Sequence, residues 1–263
     1  MKIKFIFLPI SIALIIFLII NLYNQKIDSK IDFSSSAFFR LMGASAESLT
    51  GILVKSVPVD NLDEKEYGEA LKERFSPGKK NISYNRINNI MKILAVKKKN
   101  NFDYEVFVLE DLTPNAYAMP GGVIVVTRGL CNLMNDDELA AILGHEMGHI
   151  ELSHAFDKVR IEIAAKKMKI ETLGEMTHIG TSIIINNIYS MAQENEADEY
   201  AWSILRETNL KTKGLPDALI KLKNENIKYI KKTESVDYFS SHPPIDKRIE
   251  KFTERERIMK KNP

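Results

Sequence analysis

The sequence predicts an α+β body, a small sheet with an edge strand covered by helices, behind one N-terminal transmembrane helix. Three observations carry that expectation. One long apolar run occupies residues 5–20, and two short segments at 103–111 and 121–127 are rich in β-branched residues. Several further stretches space their apolar residues as helices do, and one of them contains HEMGH.

The opening MKIKFIFLPISIALIIFLIINLY carries Lys2 and Lys4, then runs apolar from Phe5 to Ile20. About 19 residues of helix span roughly 28 Å, close to the hydrocarbon thickness of a bilayer. The NQKIDSKIDF that follows has no small-residue cleavage site. Residues 1–23 are therefore expected to form an uncleaved signal anchor. A cleaved signal, and with it a secreted body, is the alternative. The basic head keeps the amino terminus in the cytoplasm and sends the remainder across, to the periplasmic or extracytoplasmic side. IGTSIIINNI at 179–188 is too short and too polar to span.

Residues 24–79 mix Ser, Ala and scattered apolar residues and read as a tether with N-terminal helices, one around 64–75. Pro77 and Gly78 mark a domain edge. In the body, Ile87, Ile90, Met91 and Leu94 fall on one helical stripe, and the KKK at 97–99 is a solvated helix end. Tyr104, Val106 and Val108 alternate as in a strand, and GGVIVVT at 121–127 is a second strand entered through Pro120. Asn135 before Asp136, Asp137 and Glu138 is a helix start, a cap followed by acids at the positive end of the dipole. That helix carries HEMGH. Further helices are expected over 183–207, from the GLPD at 214–217, and around Arg248.

Hydrophobic residues make up 44% of the chain and charged residues 27%, which fits a globular core rather than a disordered chain. A net charge of +2 is close to balanced and nothing in it suggests nucleic acid, so no nucleic-acid partner is expected. The one cysteine, Cys131, rules out an intrachain disulfide and a thiolate-rich metal site, and its apolar neighbours make it a buried structural thiol. Any metal here must be held by nitrogen and oxygen.

Two of the five histidines, His145 and His149, are four apart and share one face of a helix. Two imidazoles so placed can hold zinc, with Glu146 beside the metal. A third protein ligand is needed. His154 lies nine residues from His145, about 180° round a continuing helix, so it is expected at the surface or behind the ligands. The better candidate is in ENEAD at 194–198. On a helix Met191, Glu194, Ala197, Asp198 and Ala201 form one stripe, while Glu196 points the other way with Tyr200. Small residues at 197 and 201 let two helices approach closely. Glu194 would then reach the metal, and Asp198 would accept a hydrogen bond from a ligating imidazole. His242, before two prolines, is expected on a rigid extended turn aimed at the cleft.

NAYAMPGGVIVVTRGL at 115–130, HEMGH at 145–149, YSMAQENEAD at 189–198 and SSHPPIDKRI at 240–249 occur in this order. Over roughly 80–257 the chain resembles the HtpX-like and CAAX prenyl-type zinc endopeptidases of metallopeptidase family forty-eight, and among them the envelope members such as BepA. The resemblance implies a zincin-like (gluzincin) domain with one Zn2+ on His145, His149 and Glu194, and Glu146 as the catalytic acid–base. It also implies that 115–122, with Asn115, Ala116, Tyr117, Ala118 and Met119, is an edge strand that receives substrate. His242 would either stabilise the transition state or occupy the open metal position as a resting block, and Arg248 would belong to the same cluster. Many members have Ser-Arg where this chain has Ser190 and Met191, so a cation near the third ligand is missing. The expected activity is hydrolysis of unfolded or extended polypeptides at the membrane. The alternative is an envelope chaperone or assembly factor with little or regulated proteolysis.

Overall fold

The computed structural model describes residues 61–76, 83–167, 189–229, 238, 242 and 245–261. The expected anchor at 1–23, the tether up to 60, Pro77 and Gly78, the 179–188 run and the two prolines after His242 lie outside these. Among the described residues no helix is long and apolar enough to cross a membrane.

The body is mostly helical around a small mixed sheet. Helices α1 (Asn61–Phe75) and α2 (Tyr84–Ala95) precede strands β1 (Glu105–Leu109), β2 (Ala116–Met119) and β3 (Val123–Thr127). Helices α3 (Arg128–Leu133), α4 (Asp136–Glu151), α5 (His154–Lys167), α6 (Met191–Glu207), α7 (Gly214–Tyr229) and α8 (Asp246–Lys261) follow. The strand order is β1-β3-β2, with β1 parallel and β2 antiparallel to the central β3. Among the described residues β2 pairs with β3 alone, which makes it an edge strand. It is shorter than 115–122, because Pro120–Gly122 form a 3-10 turn in which Gly121 takes φ 72°, a conformation that favours glycine.

Both faces of the sheet are covered. Val106, Val108, Ala118, Ile124 and Val126 join the main core with α2, α4, α6 and α7. Phe107, Tyr117, Met119, Val123 and Val125 join a second core with Tyr67 and Leu71 of α1 and Phe156 and Val159 of α5. Burial on both sides explains the unbroken apolar run of β3. The expected alternation in β1 holds, with Val106 and Val108 on the main core and Phe107 on the second, although Phe107 is as buried as its neighbours. Residues 61–75, expected among the tether and N-terminal helices, form a helix that packs on the sheet. A Cβ on Gly68 would come within 2.6 Å of the Gly121 Cα, so helix and turn meet backbone to backbone. The body thus reaches N-terminally past the expected boundary at 80.

Helix α4 runs through the centre, buried from Glu138 to Ile150. Its start is the expected one: the Asn135 side chain accepts from Glu138 N, and the Glu138 carboxylate accepts from Asn135 N, a reciprocal capping box. Helix α6 starts the same way, with Ser190 and Gln193. The two helices pack closely where small residues face one another. A Cβ on Gly148 would lie 3.0 Å from the Ala197 Cα, tighter than side chains normally approach. That closeness brings the Glu194 turn of α6 level with the histidines of α4.

Candidate metal centre

Helix α4 supplies two imidazoles and α6 a carboxylate, all fully buried. His145 Nε2 and His149 Nε2 are 3.1 Å apart. Glu194 Oε1 lies 3.3 Å from His149 Nε2, and Glu194 Oε2 3.6 Å from His145 Nε2. His242 Nδ1 approaches from the far end of the chain, 2.8 Å from Glu194 Oε1 and 3.4 Å from His145 Nε2. These four residues each offer one donor atom within 4.8 Å of all the others. In a tetrahedral site with bonds near 2.0–2.1 Å, donor atoms stand about 3.3 Å apart. The separations bracket that figure. Nitrogen lone pairs converging on a carboxylate repel one another unless a cation sits among them, so the donor set fits a small divalent metal ion.

Glu146 is buried beside this group, and among the described residues neither of its carboxylate oxygens has a hydrogen-bond partner. Its Oε1 is 3.7 Å from His242 Nε2. An orphaned carboxylate in a protein interior is costly unless water or a ligand meets it. His242 N donates to the Tyr238 carbonyl at 3.1 Å, an i to i−4 bond.

Arg248 of α8 is also buried. Its Nε and Nη2 donate to the two oxygens of Asp198 at 2.7 and 2.8 Å, and its Nη1 lies 2.6 Å from Glu194 Oε2. Asp198 Oδ1 meets His145 Nδ1 at 2.9 Å. Arg248, grouped from sequence with the catalytic residues, is occupied in holding two carboxylates. It also supplies a cation at Glu194, although Met191 is 40% exposed at the start of α6 and offers none. Burial pushes the carboxyls of Asp198 and Glu194 up, but their cationic and hydrogen-bonding neighbours prevail and hold both below the usual range. Burial likewise depresses His145, yet Asp198 and Glu194 raise it overall, whereas burial keeps His149 well below its ordinary value.

Three features were not read from the sequence. Tyr189 stacks on His149 at 3.6 Å and Tyr238 on His242 at 4.4 Å, each nearly parallel, so the two rings are held flat. Tyr189 precedes the Ser190 cap, and its position before a helix aimed at the centre was the available signal. Lys158 Nζ sits 3.1 Å above the Tyr189 ring, and burial pulls its pKa down to about 8.

The third feature corrects the geometry assumed for His154. Helix α4 ends at Glu151, Ser153 takes φ 62°, and His154 opens a new helix. The chain turns back, and His154 is buried against His149 rather than lying on the opposite side of one continuous helix. Its partner on the outer side is Glu196.

The edge strand adjoins the centre through its contact with α4. Ala116 to Met119 are all buried, and Asn115 Nδ2 donates to the Tyr117 hydroxyl at 2.8 Å. Burial, with Asp111 and Glu146 nearby, pushes the Tyr117 phenol up to about 12.

Residues 83–256 match Peptidase family M48, and the chain belongs to that family. Metalloprotease YcaL of Escherichia coli (strain K12) is 29% identical over 163 residues, 58% of this chain and 61% of that protein. Metalloprotease LoiP of the same organism is 27% identical over 163 residues, 58% of this chain and 62% of that protein. The mitochondrial metalloendopeptidase OMA1 of Schizosaccharomyces pombe is 25% identical over 197 residues, 72% of this chain and 56% of that protein. The chain therefore spans about three-fifths of the length of these relatives.

Proposed function

We propose that the chain is a zinc metalloendopeptidase of gluzincin type, with His145, His149 and Glu194 as ligands. The observation that carries this reading is the cluster of donor atoms within 4.8 Å beside a carboxylate whose oxygens have no partner among the described residues. When bound, zinc supplies Lewis acidity and lowers the pKa of a coordinated water to about 7. Glu146 takes the proton of the attacking water and delivers it to the leaving amine as the peptide bond breaks. Asp198 and Arg248 hold the tautomer of His145 and the charge of Glu194. The backbone of 115–119 takes an extended substrate segment as an added strand, which selects unfolded polypeptide over folded protein. Residues 1–23, apolar behind a basic head, anchor the body on the outer side of the membrane, where it acts on unfolded or misassembled envelope proteins.

The test is zinc content together with digestion of an unfolded protein such as casein. Glu146→Gln should keep zinc and lose at least a hundredfold in rate, the usual scale for a positioned acid–base. An undiminished rate removes Glu146 from the chemistry. Cleavage that persists after chelation would refute the metal reading, and no cleavage by the zinc-loaded protein would favour the chaperone alternative. A second reading is supported by His242 Nδ1, which lies among the donor atoms and would itself help to hold a bound metal. His242 then silences the enzyme until it is displaced. His242→Ala raises activity on that reading and lowers it if the imidazole stabilises the transition state.

A further inference from the structure

We propose that His154 and Glu196 act as one positioning unit that fixes the tautomer of His149 and leaves its Nε2 lone pair free for a divalent metal ion. The inference rests on the zinc-centre reading above. His149 Nδ1 lies 3.1 Å from His154 Nδ1, and His154 Nε2 lies 3.1 Å from Glu196 Oε2. Two ring nitrogens facing each other bond only when one of them carries a proton. A carboxylate only accepts, so His154 must present its N–H at Nε2. The Nδ1 of neutral His154 is then bare and accepts from Nδ1–H of His149. That leaves bare the His149 nitrogen that faces His145 and Glu194.

The opposite direction fails on both ends. It would set a lone pair of His154 against the carboxylate and place a proton on His149 Nε2, where it blocks ligation. Glu196 thus decides the direction of the whole row, although its own side chain is 60% exposed. The geometry depends on the left-handed turn at Ser153, which folds His154 back onto His149. Both imidazoles of α4 therefore end on a carboxylate. His145 reaches Asp198 directly, and His149 reaches Glu196 through a second ring.

The experiment measures the zinc dissociation constant of the full chain by competition with a chromophoric chelator. His154→Phe should weaken binding about 10–100-fold, the usual cost of losing a partner behind a ligating histidine. His154→Gln should recover most of that loss, since its amide oxygen accepts from His149 while its amide N–H donates to Glu196. Glu196→Ala, at an exposed position, should weaken zinc about tenfold and leave the melting temperature of the metal-free protein unchanged. Wild-type affinity in Glu196→Ala overturns the proposal, and so does a His154→Gln protein as weak as His154→Phe. If wild type itself binds no zinc, the zinc-centre reading falls. If wild type binds and the substitutions change nothing, only the positioning unit does.

Discussion

Asp198 and Glu64 are two carboxylates with almost the same exposure, 0% and 2%, and opposite electrostatic fates. Asp198 receives two bonds from Arg248 and one contact from His145, and its carboxyl is held below the usual range despite burial. Glu64, in α1, has a hydrogen bond from Gly121 N at 3.2 Å, and Asp157 adds like charge nearby. Burial pushes its carboxyl up to about 7. Burial alone would raise both; the partner decides the outcome. The candidate centre keeps a charged carboxylate beside the donor cluster, while the far face of the sheet tolerates an acid that titrates near neutrality.

The largest effect should come from removing the partner. Arg248→Met leaves Asp198 and Glu194 buried without their cation, at a cost of about 3–5 kcal/mol. In the metal-free protein the melting temperature should fall by about 10 °C or more. A fall of only a degree or two would show that Arg248 is not what keeps these carboxylates in place.

Glu64 gives the intermediate effect and a pH signature. Its pKa in the folded chain, about 7, lies above the ordinary 4.5, so folding favours the protonated form. Below pH 4.5 both states are protonated and nothing is lost. Stability falls as pH rises from 4.5 to about 7, by on the order of 3 kcal/mol, and stays reduced above that. Gln accepts from Gly121 N without a charge. Glu64→Gln should therefore melt higher than wild type at pH 8, with the gap closing towards pH 5. A gap independent of pH would mean that the carboxyl does not titrate in this window.

The smallest effect belongs to a half-buried acid near the surface with two cations. Glu199 meets Arg255 at 2.7 Å and Lys251 at 2.9 Å near the surface. Glu199→Gln should cost under about 1 kcal/mol and less still in high salt. A loss approaching that of Arg248→Met would undo the contrast between buried and surface pairs.

The parts legible from sequence were those written in local spacing. The Asn135 capping box, the stripe of α2 and the small residues that bring α6 against α4 each follow from side chains within one or two turns. The interval between His145 and His149, and the stripe holding Glu194 and Asp198, are of the same kind. What escaped depends on a backbone angle or on contacts distant in the chain. One left-handed residue, Ser153, reverses the direction in which His154 points, and residue spacing on a continuous helix cannot represent it. The stacking of Tyr189 on His149 and the closure of the sheet by α1 depend on tertiary packing that no periodicity encodes.

That closure has a practical consequence. The stretch recognisable as the family begins at residue 83, yet the piece that buries Phe107, Tyr117 and Val125 includes Tyr67 and Leu71. A protein trimmed to the recognisable stretch would bare an oily sheet surface beside β2. It would be expected to clump, and its poor behaviour would be mistaken for a defect of the centre itself.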